Sequence, residues 1–166
     1  MIGTDLTLFE EDARRLATVL QRLCEEAKSR AVFLIDKAGQ LIASAGETAS
    51  LDTTSLASLT AGNIAATGGL ARLLGEKEFS VLFHEGEKDH LHISVVGQRG
   101  ILVVLFDRRS SLGLVRLRVK RAAEDIGRVF TEMAVRTEQE AGRGRAMFQA
   151  QFAQITDDDI DNLFKG

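Results

Sequence analysis

Between Thr53 and Gly75 the chain reads TTSLASLTAGNIAATGGLARLLG, a run of helical length whose one charged residue is Arg72. It is too polar for a membrane span, and too poor in charge for a helix with one whole side in water. On a helical wheel Leu56, Leu59, Leu70 and Leu73 share a stripe that is expected to face the core. Ser58, Gly62, Ala65 and Gly69 form a second, small and uncharged stripe about 120° away. Glycines at 62, 68 and 69 each cost about 1 kcal/mol relative to alanine inside a helix, about 3 kcal/mol together. Close backbone approach by another surface offsets such a cost. The favoured reading is burial in a dimer or partner interface; the alternative is a tight crossing by a neighbour within the same fold.

Around this segment the composition is that of an ordinary globular protein, with 45% hydrophobic and 27% charged residues in 166, enough to bury a core without disulfide or metal. Cys24 is the single cysteine and sits beside Leu20 and Leu23 in a helical pattern, where inert packing is the default and a reducing compartment is favoured. The opening MIGTDLTLFEEDARR has neither the basic flank nor the apolar run of a secretory signal, so a cytoplasmic protein without membrane insertion is expected. A net charge of −3 gives no bias toward nucleic acid.

Thr7 with Glu10 has capping-box spacing, and Phe9, Ala13, Leu16, Leu20, Leu23 and Ala27 continue at three and four residues as a first helix. Ala31 to Ile35 and Leu41 to Ala45 read as a hairpin across Asp36 to Gln40. Asp52 or Thr53 can cap the uncharged helix, and Gly75 can end it. Phe79 to Phe83, Leu91 to Val96 and Ile101 to Phe106 read as three more strands. Leu91, Ile93 and Val95 alternate with His90, His92 and Ser94, which predicts one face on a core and the other toward water or a partner. From Leu112, after the possible caps Ser110 and Ser111, helical spacing holds to about Arg136. The expected architecture is an α/β sandwich with helices on both faces of a mostly antiparallel sheet. The domain is expected to cover residues 1–137, a polar linker 138–145, and a flexible acidic amphipathic tail 146–166. Ile160, Leu163 and Phe164 form the tail's apolar edge, and Thr156 with Asp159 can cap its last turns.

Catalytic signatures are missing. Gly75, Glu76 and Lys77 do not complete a phosphate-cradling loop, and neither a GxSxG serine elbow nor an HExxH pattern for a catalytic zinc occurs. No catalytic residue, cofactor or metal is assigned. Asp157, Asp159 and Asp161 mimic the start of a calcium loop, but Asn162 replaces the needed glycine. His84, His90 and His92 would make a weak zinc site only if a carboxylate converged on them; solvated strand histidines are the default. Arg108, Arg109, Arg116, Arg118, Lys120 and Arg121 are read as a solvated face, with an acidic partner or the acidic tail as alternatives. Aromatic stacking groups for nucleic acid are lacking.

The strings VFLIDKAGQLIASAG, DTTSLASLTAGNIAATGGLARLLGE, FHEGEKDHL, LVVLFDRRSSLGLVRLRVK and DDDIDNLF resemble bacterial cell-polarity members of the roadblock (dynein light-chain type) family. The resemblance covers nearly the whole chain. It implies a five-stranded sheet in the order 2-1-5-4-3, with the second helix on one face and the first and third on the other. It also implies a homodimer formed through the second helix and third strand, acting as activator of a small Ras-like GTPase in polarity and gliding motility, with two protomers per GTPase. The partner-binding residues would be Ser58, Ala61, Gly62, Ala65, Gly68, Gly69 and Arg72. Ile160, Leu163 and Phe164 would add a tail contact. Such an activator can order the GTPase's own catalytic groups without inserting an arginine, with Arg72 the residue to exclude as a finger. A scaffold that recruits polarity proteins is the runner-up, and a small-molecule sensor is a third reading for which the sequence shows no aromatic-lined pocket.

Overall fold

The computed structural model describes residues 10–153, 155 and 157–164. Helix α1 (Glu10–Glu26) opens with Glu10, Glu11 and Asp12, which complement the dipole at its start, and buries Leu16, Leu20 and Leu23 on one stripe. Thr7, Phe9 and Thr156, invoked above for the first helix and for capping the tail, lie outside the described residues. Strands β1 (Ala31–Asp36) and β2 (Leu41–Gly46) form the expected hairpin. Helix α2 (Thr53–Leu74) then leads to β3 (Val81–Glu85), β4 (His90–Val96), β5 (Gly100–Phe106) and α3 (Leu112–Ala153).

The sheet order is β2-β1-β5-β4-β3, with every neighbouring pair antiparallel. Because side chains alternate along a strand, the sheet has two distinct faces. Ala31, Phe33, Ile35, Ile93, Ile101, Val103 and Leu105 pack on one face with Ala57 of α2, and Leu56, Ala61, Ile64, Leu82 and Leu91 close around them. Val32, Leu34, Leu102 and Val104 are fully buried on the other. That face carries α1 and α3, which share a crevice lined by Leu23 and Glu26 on one side and Arg118 and Ala122 on the other. Both faces of β1 and β5 are covered, which is why these strands read as unbroken apolar runs.

Two expectations are corrected here. His92 and Ser94 do not face water: both are buried, because α3 covers that face of β4. The segment 138–145 is helical, continuous with α3. Glu138, Gln139, Glu140, Ala141, Arg143 and Arg145 are all good helix formers, and two glycines at about 1 kcal/mol each do not stop a helix already nucleated upstream. By packing, one compact unit spans Leu8–Thr131, and the residues from Glu132 onward fall in a second. Within that second unit α4 (Asp157–Phe164) is a separate short helix.

Candidate functional site: the outer face of α2 and the β3 edge

Helix α2 is held at both ends and along one side. At its start Asp52 accepts from Ser55 N at 3.1 Å and from Ser55 Oγ at 2.7 Å, and these hydrogen bonds hold the Asp52 carboxyl below its usual range. At its end Gly75 takes the left-handed conformation at φ 75° and its N–H caps the last carbonyls. Between them Ala57, Thr60, Thr67 and Ala71 form the buried stripe. Gly39, in the β1–β2 turn, comes so close to α2 that a Cβ built on it would lie 3.3 Å from Ser58 Cα and 3.5 Å from Ala61 Cβ.

This inward stripe overturns the expectation that the leucines face the core. Leu56 is half-buried against it, but Leu59 is 74% and Leu73 84% exposed, and Leu70 and Leu74 are also exposed. The physical reason is thickness. The strands beneath already supply Phe33, Ile35, Ile101 and Val103, so the helix settles on alanines and threonines that let its backbone approach, and the leucines turn outward. Thr67 makes this tolerable by donating its hydroxyl to Asn63 O at 2.8 Å.

Of the predicted contact residues, Ser58, Gly62, Ala65 and Arg72 are exposed, and Gly69 is half-buried. A Cβ on Gly62 would meet nothing within 4 Å. The Arg72 guanidinium folds back along the helix, with its nitrogens 4.0 and 3.9 Å from where side chains on Gly68 and Gly69 would begin. Ala61 points inward and packs on the core, and Gly68 is half-buried. Ile160, Leu163 and Phe164 are exposed on α4. Leu59, Leu70, Leu73 and Leu74 were missed as surface residues. The signal was present in the 3-4-3-4 spacing of Ala57, Thr60, Ile64, Thr67 and Ala71, which the larger leucines masked.

β3 is the edge strand beside this face. Asn63 Nδ2 lies 3.1 Å from His84 Nε2, a hydrogen bond when that nitrogen carries no proton, and it ties α2 to β3. Leu82 anchors the strand to the core, while Val81 and Phe83 are exposed on the opposite side of the sheet. Phe83 stacks on Phe106 with centroids 6.1 Å apart. Register places His84 opposite Leu91 and Phe83 opposite His92, so His84 is on the other face from His90 and His92 and the three cannot converge. Among the described residues no cluster is arranged to hold a metal ion, and no helix is long and apolar enough to cross a membrane.

Residues 16–106 match the model of the Roadblock/LC7 domain. The structure of Myxococcus xanthus MglB is similar at 54% identity and a TM-score of 0.73, over 76% of this chain and 96% of that one. The gliding protein MglB from Thermus thermophilus is similar at 35% identity and a TM-score of 0.72, over 79% and 99%. An MglB with a tetrameric arrangement gives 35% identity and 0.74, over 80% and 99%. No curated protein matches the chain.

Proposed function

The chain belongs to the Roadblock/LC7 domain family, and on that premise we propose that it is a homodimeric regulator of a small Ras-like GTPase of the MglA kind, acting in bacterial polarity and gliding motility. The observation that carries the reading is the outer face of α2. Leu59, Leu70 and Leu73 stand exposed beside Gly62, Ala65 and Gly69, next to an edge strand that offers unpaired backbone groups. Monomeric proteins seldom leave a contiguous apolar strip of this kind in water. The small residues admit close backbone approach, and the leucines supply area to bury. Similarity to MglB from Myxococcus and Thermus supports the choice of partner.

Two protomers present two such helices, and one GTPase engages both. Phosphoryl transfer is accelerated chiefly by positioning and by stabilising charge, so pressing on the GTPase's mobile segments to order its own catalytic groups is sufficient. Arg72 is not a finger in this reading. Its role is to lie over Gly68 and Gly69, and Arg72→Ala should retain most of the stimulation, whereas loss of a true finger costs about 10³-fold or more. The tail residues Ile160, Leu163 and Phe164 add a second contact, and a position at a cell pole follows from the partner.

The test is GTP hydrolysis by the partner, measured with increasing amounts of this protein. A saturable increase in turnover supports the regulator. Binding without any change in turnover would leave a scaffold that recruits polarity proteins.

A further inference from the structure

On the face of the sheet away from α2, the outer end of β3 and β4 runs past α3 and leaves a groove of about 360 Å³, within the range of about 300–1,000 Å³ usual for small-ligand sites. Its walls are mainly aliphatic: Val81 and Val96 from the strands, Val119 and Ala123 from α3, with Ser80 beside Val81. Its floor is not. His92 and Ser94, two residues apart on β4, line the groove while being only 2% and 5% exposed. Neither His92 Nδ1 nor Ser94 Oγ has a hydrogen-bond partner among the described residues, and buried polar atoms in that condition carry a desolvation cost that a bound group would remove. Both atoms are covered by the protein around them, and a group bound in the groove reaches them when the His92 and Ser94 side chains turn toward the space that the two residues line.

The rim fixes the sign of that partner. Arg116 and Lys120 lie one helical turn apart on α3, both exposed, and no aspartate or glutamate lines the groove. His92 adds one N–H donor without adding charge, since burial, reinforced by Arg116, disfavours its protonated form. Two cations at the mouth, an imidazole and a hydroxyl below and branched aliphatic walls on either side suit an anionic head on an aliphatic chain. The geometry points to a binding site for a small aliphatic carboxylate, its head held by Arg116 in the forked geometry that guanidinium offers a carboxylate and its chain laid along Val81, Val96, Val119 and Ala123. This site lies on the face of the sheet opposite α2 and does not rest on the proposed GTPase, but through Val81 it borders the β3 edge of the proposed dimer.

The experiment is a calorimetric titration of the full-length protein with sodium decanoate, followed in parallel by the histidine side-chain nitrogen NMR signals. Decanol, decyltrimethylammonium and decyl phosphate are the comparators. The expected result is saturable binding of decanoate, one per chain, that moves the His92 ring signals and is weakened about tenfold, or about 1.4 kcal/mol, by Arg116→Gln. Ala123→Leu, which fills the groove at a half-buried helical position, should abolish it. Either variant keeping parental affinity overturns the site. So does absence of saturable binding at millimolar decanoate, or heat released while the His92 signals stay in place. Equal binding of decanol or of the cation overturns the anionic head, and tighter binding of decyl phosphate overturns the carboxylate class.

Discussion

Gly39 is held at φ 93° in the β1–β2 turn, and the space above it belongs to α2. Alanine there meets two obstacles, a backbone conformation that L residues resist and a contact 3.3 Å from Ser58 Cα. Strain of this kind is worth about 1–3 kcal/mol, and for a chain of this size each kcal/mol moves the melting temperature by about 2–4 °C. Gly39→Ala should therefore lower a circular-dichroism melting midpoint by several degrees, and an unchanged midpoint would mean that turn and helix do not press on each other. His92 makes a different prediction. Burial is the larger cause, and Arg116 the smaller, of a proton affinity below the ordinary histidine value. The unfolded chain therefore takes up the proton first as pH falls, so this contribution to stability is whole above about pH 6.5 and is lost as pH drops through the folded pKa. Urea unfolding from about pH 7.5 down to about pH 5 should show the parent losing stability faster than His92→Gln; parallel slopes would place the titration elsewhere.

At the scale of elements, α2 carries the sharpest prediction, because Arg72 is the one charge on its outer face and a long side chain has room there. A Cβ on Gly69 meets only the flexible end of Arg72, at 3.9 Å, and Ala65 is exposed, so Ala65→Arg and Gly69→Arg should leave the fold intact and weaken partner binding by bringing an unpaired charge to the contact. Stimulation of GTP turnover equal to the parent's would falsify the assignment of this face. Its existence was legible in the sequence as a run with Arg72 as its one charge and Asp52 and Gly75 at its ends, and both caps form. Which stripe turns inward was not, since leucine size argues for the core while the packing distance above a sheet of Phe33, Ile35 and Val103 argues for alanine and threonine. Strand order followed from the resemblance, and the hairpins from turn residues. The depth of β4 did not follow, because alternation of His90, His92 and Ser94 with apolar residues gives the same pattern whether the polar side meets water or lies under a helix. The extent of α3 was hidden by Gly142 and Gly144, which mark a loop in isolation yet are absorbed by a long helix.

At the scale of the whole molecule, the chain separates into a compact unit spanning Leu8–Thr131 and a second one beginning at Glu132. The first holds the complete sheet, α1, α2 and α3 as far as Thr131. The second ends in α4, eight residues with Ile160, Leu163 and Phe164 exposed and acidic residues toward its start. A helix that short is marginal by itself in water, where fewer than about 12 residues seldom hold together. Its apolar edge becomes useful against a groove, and its aspartates favour the helix dipole and steer it toward a basic surface. Deleting residues 146–166 should therefore leave dimerisation and melting unchanged but reduce affinity for the GTPase, and the deficit should shrink as salt screens the steering charge. The measurement is a binding titration of full-length and truncated protein at low and high ionic strength, with light scattering and a thermal melt on each. Equal affinities at both salts would remove the tail from the GTPase contact. A lower melting temperature or a changed mass for the truncated protein would show that residues past 145 belong to the folded dimer itself, and that the useful boundary between domain and tail lies further along the chain.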